Sequence, residues 1–170
     1  MLKFLGLVLL AAAARLIPHA PNFSPIIAIA LFAGSMGGWR WSTLLIPVAA
    51  MLVSDLVIGF HDIVPEVYSA VLLIALLGVY TRANSWMSVT INSTAAAVLF
   101  FVTTNAGVWW FSAMYPHTVA GLTNCFVAAI PFFHNTLLSS WLFSGVLFGG
   151  ARLMMRLGLV GKRQYARIEV

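Results

Sequence analysis

Arg15 and Asp55 are the residues whose chemistry stands out first, because each is an ionisable side chain near the end of a long apolar run. A charge within a bilayer-spanning segment costs roughly 2.5–3.5 kcal/mol even on insertion scales, so it points to a partner, a cavity or a pathway. One residue closes the first apolar run and the other comes near the end of the third, at matching depth. A salt bridge between them is the expectation. It serves either as a lock between two helices or as a pair of contacts to a solute in a pocket; a third reading has both side chains snorkelling to the headgroups.

His19, Asn22, His61, Asp62, Glu66, Asn105 and His117 fall in the connecting segments on the same side, and His134 lies in the nearer half of the last run. Three histidines from three loops could converge on a metal. None has the helical spacing of a ligand pair, so no metal is assigned and interfacial polar residues are the default. The single cysteine, Cys125, excludes an internal disulfide and a multi-cysteine cluster. It reads as a small hydrophobe, with contact to a metal-bearing ligand as the minority alternative. There is no G-x-S-x-G, no phosphate loop and no dependable pair of acids, so neither an enzyme nor a cofactor is expected.

What must position these groups follows from the solvent. Hydrophobic residues make up 62% of the 170 and charged residues 8%, against about 25% charged in a soluble domain. Such a chain cannot cover itself with polar surface, so lipid is its solvent and an all-α bundle its architecture. Six apolar segments are marked, at about 2–17, 26–36, 42–60, 66–80, 86–104 and 122–150. Pro18, Pro21 and Pro25 stop the first, since each lacks an N–H and restricts the residue before it. Pro131 predicts a kink in the last. The first two segments are short of the 20 or so residues that a straight span needs; they read either as tilted partners completed by neighbours or, for the second, as a partial span. The opening run, from Lys3 through Ala11–Ala14, also fits a secretory signal peptide.

Segment 105–121 is too polar and too broken to span, yet carries Trp109, Trp110, Phe111 and Tyr115. It is read as a cap, either a lid over a pocket or an interfacial anchor. Residues 151–170 form a basic tail. The net charge of +5 is carried by bases scattered singly between apolar runs, which speaks for topology and against nucleic acid. With six crossings and cytoplasmic termini, Lys3, Arg40, Arg82, Arg152, Arg156, Lys162, Arg163 and Arg167 share the inner side, eight of nine bases. The expected site is therefore an outward-facing pocket roofed by 105–121 and lined by Arg15, His19, Asn22, Asp55, His61, Asn105, Trp109 and Trp110. Ala30, Gly34 and Gly38, like Gly145 and Gly149, repeat at four-residue spacing, a pattern that packs helices closely within the bundle or against a partner.

Three stretches resemble a known group. They are Arg15-Leu-Ile-Pro-His-Ala-Pro-Asn-Phe-Ser-Pro25, the Ala/Gly-rich helix ending Gly37-Gly38-Trp-Arg40, and Ser54-Asp55-Leu-Val-Ile-Gly59-Phe-His61. With Thr104-Asn105-Ala-Gly-Val-Trp109-Trp110 and Ala129-Ile-Pro131-Phe-Phe-His-Asn135-Thr they look like small bacterial membrane proteins of unassigned function, classed as candidate transport proteins. More distantly, the layout is similar to the S components of energy-coupling factor (ECF) vitamin transporters. That resemblance implies a six-helix transmembrane bundle in the plasma membrane that binds a vitamin-like or cofactor-like solute from outside. It also implies docking to a transmembrane coupling subunit driven by ATPases. The chain departs from the pattern on helix 1, where Ala11–Ala14 are consecutive rather than four apart. A small channel or passive facilitator, and a structural assembly factor, are the rival readings.

Overall fold

A computed structural model of the chain describes residues 2–16, 20–59 and 64–158, with side chains for all of these except 2–7 and 10. The described residues form six helices and no strand: α1 Leu2–Leu16, α2 Ile26–Gly37, α3 Trp41–Ile58, α4 Val64–Val79, α5 Trp86–Phe111 and α6 Val119–Arg156. Of these, α3, α5 and α6 are long and apolar enough to cross a membrane. At 1.5 Å per residue, the 38 residues of α6 extend about 57 Å, well beyond a hydrocarbon core of about 30 Å.

The short α2 is the centre of the bundle and touches each of the other five helices. Its buried residues run round the whole cylinder, with Ala28, Ala30 and Leu31 fully inaccessible. A helix apolar on every side is a buried helix, which is how a 12-residue segment too short to span alone finds its place. Glycine decides how closely it packs. A Cβ at Gly34 would lie 3.0 Å from Gly78 Cα of α4 and closer still to the Ala75 carbonyl oxygen; one at Gly78 would lie 3.1 Å from Gly34 Cα. The two helices therefore cross backbone to backbone. Against the far side of α3, Val8, Ala11 and Ala12 of α1 pack on Ile46 and Ala50. The alanine run thus turns two of its members inward, while Ala13 is exposed.

The largest departure from the sequence reading is at residues 105–121. Helix α5 continues to Phe111 and α6 begins at Val119, so the cap shrinks to 112–118, and Asn105, Trp109 and Trp110 are helical. The polar groups that suggested a loop are satisfied by their own helix. Thr104 Oγ1 donates to Phe100 O at 2.8 Å, and Asn105 Nδ2 donates to Phe101 O at 2.7 Å. Gly107 is there for packing, because a Cβ would lie 2.8 Å from Glu66 Cβ of α4. Glu66 itself stands in the first turn of α4 and not in a loop. The chain leaves α5 at Ser112, and Thr118 starts α6 by accepting Gly121 N–H on its Oγ1 at 3.1 Å. Helix α6 passes through Pro131 and continues to Arg156, beyond the expected end at 150.

Trp39 meets Tyr80 edge-on, which joins the α2–α3 and α4–α5 connections at one end of the bundle. Arg152 reaches the same end, where its Nε donates to Ala83 O at 2.7 Å and its guanidinium lies 3.9 Å from the Trp86 ring centre. It is docked, and so is not part of a free basic tail; residues 159–170 lie outside the described residues.

Candidate ligand-binding cavity

Towards the end of the bundle opposite Arg152, the last turns of α1 and α3 and the 100–108 stretch of α5 meet the first turns of α2 and α4 and the 129–136 stretch of α6. Among them is a cavity of about 510 Å³, within the range of small-molecule sites. Its apolar wall comes from Ile26, Ile27, Met51, Ile58, Val67, Phe100, Phe101, Val108, Ala129 and Phe132. Its polar wall comes from Arg15, Asn22, Ser24, Thr104, Asn105 and Thr136. One edge is formed by the α1–α2 connection, which α6 holds in place. Asn135 Nδ2 donates to Pro21 O at 2.9 Å, and Phe23 meets Phe143 edge-on. Asn22 turns this connection with φ +60°, a backbone conformation that asparagine tolerates better than most side chains.

Arg15 and Asp55 form the ion pair that their depth predicts, with Arg15 Nη1 2.7 Å from Asp55 Oδ1. The same Nη1 donates to Ser54 Oγ and, at 3.4 Å, to Met51 O. Tyr68 of α4 donates its hydroxyl to the other carboxylate oxygen at 2.8 Å. Three helices are therefore tied at one point. The two partners differ in position, since the Asp55 side chain is 1% exposed and that of Arg15 is 15% exposed. Arg15 lines the cavity and Asp55 stands behind it.

Of the residues expected to line a pocket, Arg15, Asn22 and Asn105 do so. Asp55 acts through Arg15 and is not part of the wall. Trp109 and Trp110 are not in the wall either, and no tryptophan lid covers the cavity. Their rings pack on each other with 5.5 Å between centres, and His117 stacks on Trp110 at 13° and 5.8 Å. Trp109 Nε1 donates to Pro116 O at 3.0 Å, so these side chains brace the 112–118 turn. His19 and His61 lie outside the described residues. His134 is exposed on α6. Among the described residues no three of His, Cys, Asp and Glu gather as metal ligands. Cys125 is buried between α5 and α6, and its thiol donates to Asn105 O at 3.4 Å.

Sequence reasoning missed Ser24, Thr104, Thr136, Tyr68 and the phenylalanine wall. Thr104 and Thr136 had a usable signal, because each sits in the turn of its helix that antiparallel packing brings to the Arg15 end. Tyr68 had none, since nothing local distinguishes it from an interfacial aromatic.

Six apolar helices, three of them long enough to cross a bilayer, around a cavity at one end define a helical membrane protein. The chain belongs to a family of unknown function (DUF6580), whose profile matches residues 1–162. No curated protein and no solved structure matches the chain. The match extends to a family whose function is unknown and no further, and the more distant likeness to S components gains no support from these comparisons.

Proposed function

We propose that this protein is a membrane-embedded binding protein that takes up a small, vitamin-like or cofactor-like solute from the outer side of a bacterial plasma membrane. The observation that carries the reading is the cavity of about 510 Å³, in which six polar side chains interrupt an otherwise apolar wall. Such a mixture binds a solute through apolar burial and orients it through a few hydrogen bonds. Its position supports the outward orientation. Arg40, Arg82, Arg152 and Arg156 lie at the other end of the bundle, which the positive-inside rule assigns to the cytoplasm. All six helices cross or fill the membrane in this reading, with α2 as the buried centre.

The packed centre favours a binding protein over a channel. Between the cavity and the Arg152 end, Ala30, Leu31, Ile74, Ala75 and Phe148 are fully buried in one packed apolar cluster. The buried hydroxyls of Ser93, Ser140 and Ser144 on α5 and α6 are single polar groups in the same bundle. Release to the inside then needs a large rearrangement, which is the step that a coupling subunit with ATPases performs for the S components this chain resembles.

The test is binding by the purified full-length protein, read by intrinsic tryptophan fluorescence and thermal stability against a panel of vitamins and cofactor precursors. A ligand with micromolar affinity is expected, and Ala129→Trp, which fills the cavity, should weaken it at least tenfold without lowering stability. Affinities unchanged by that substitution would refute the reading. Co-purification of an ATPase-bearing complex from the native membrane tests the energised version separately.

A further inference from the structure

We infer that the solute of this cavity carries a single anionic acceptor, in practice one carboxylate on a mainly apolar body; this rests on the binding role proposed above. The first ground is the charge on the wall. Arg15 is the one charged side chain among the cavity's described lining residues. Its counterion, Asp55, is 1% exposed and sits behind it, so the cavity faces the positive end of a charge pair. The nearer charge dominates the potential in a low-dielectric space, which favours an anion or an acceptor oxygen over a cation. Glu66, the other acid at this end among the described residues, packs against Gly107 of α5 and is not among the lining residues.

The second ground is the unused donor capacity of Arg15. Its Nη1 makes the contacts to Asp55, Ser54 and Met51. Nε and Nη2 have no partner among the described residues. Guanidinium presents five N–H donors in a planar fork that matches a carboxylate. One edge is thus fixed to the protein, and the other remains for a ligand.

The third ground is the opposite character of the α5 and α6 walls. Thr104 Oγ1 donates to Phe100 O and Thr136 Oγ1 to Phe132 O, so both hydroxyls offer lone pairs in addition. An N–H or O–H on the far side of the solute from its carboxylate would meet them. Between the two ends the body rests on Phe100, Phe101 and Phe132.

The experiment requires no knowledge of the natural solute. In a Cys125→Ser background, Ala129→Cys places one thiol in the wall. Its reaction rate is measured with two charged methanethiosulfonates of similar size, carrying an ethylsulfonate or an ethyltrimethylammonium, and with the smaller neutral methyl reagent as a measure of access. Rates are normalised to those of free cysteine. The anionic reagent is expected to be favoured roughly tenfold over the cationic one, a bias of about 1.4 kcal/mol. Arg15→Gln, which leaves the Asp55 carboxylate uncompensated, should abolish the bias or reverse it toward the cationic reagent. Arg15→Gln with Asp55→Asn, which leaves no charge, should bring it to near unity and also serves where the single variant fails to fold. Equal rates, or a faster cationic reagent, with Arg15 in place would overturn the charge assignment while leaving the cavity reading intact. A bias that survives both variants would overturn the role of Arg15. Failure of all three reagents, with full reaction after denaturation, would remove the open cavity and the binding role with it.

Discussion

Removing Arg15 should destabilise the protein more than removing Asp55, and removing both should cost far less than the sum. The asymmetry follows from the unequal burial of the pair. Arg15→Ala leaves a carboxylate that is 1% exposed with the Tyr68 hydroxyl as its remaining donor. Breaking a buried pair in this way costs about 3–5 kcal/mol, and so complete an enclosure belongs near the top of that range. Asp55→Ala leaves a guanidinium that is 15% exposed to the cavity and still bonded to Ser54 and Met51. Its cost belongs near the bottom, about 3 kcal/mol, and includes the orphaned Tyr68 hydroxyl. In the double variant no charge is left, and the cavity and the unpaired hydroxyl together account for about 3–4 kcal/mol. The coupling between the sites is then about 4 kcal/mol. In thermal unfolding at about 2–4 °C per kcal/mol, Arg15→Ala should lower Tm by roughly ten degrees or more, and the double variant by less than that. A double variant as unstable as the two singles added together, or Asp55→Ala worse than Arg15→Ala, would refute the argument.

Gly34→Ala should be strongly destabilising, because its Cβ would meet the Gly78 and Ala75 backbone, whereas Gly145→Ala should be neutral or slightly stabilising, since nothing lies within 4 Å of its Cβ; thermal unfolding of the two side by side checks the α2–α4 crossing. Cys125, at 2% exposure, should resist a membrane-impermeant maleimide in the native protein and react fully after denaturation, and fast native labelling would contradict its burial. Reporters inserted within 112–118 and after Gly158 should report opposite sides of the membrane, because α6 runs unbroken between them; the same side for both would rule out α6 as a span.

The class of fold was legible from composition, because a chain with 8% charged residues has no means of covering a globule in water. Prolines at 18, 21 and 25 and the glycine pair at 37–38 marked the two ends of α2, since both act on the local backbone. The Arg15–Asp55 pair was also readable, as two charges at equal depth in an apolar medium have few other places to go. What the sequence misassigned was 105–121. Threonine, asparagine and glycine look like loop residues in a soluble protein. In an apolar helix the same side chains bond to carbonyls four residues back, and glycine admits a neighbour such as Glu66. The division of labour within the site was decided by tertiary structure alone. Asp55 and Arg15 are equivalent as sequence, but packing of α1, α3 and α4 encloses the carboxylate and leaves the guanidinium facing the cavity. Trp109 and Asn105 are four residues apart on one helix, and only the placement of α6 and the 112–118 turn puts Asn105 in the cavity wall and Trp109 against His117. Local chemistry sets which residues form helices and which charges need partners; which side chain a cavity receives depends on how six helices pack, and residue-by-residue propensity carries no information about that.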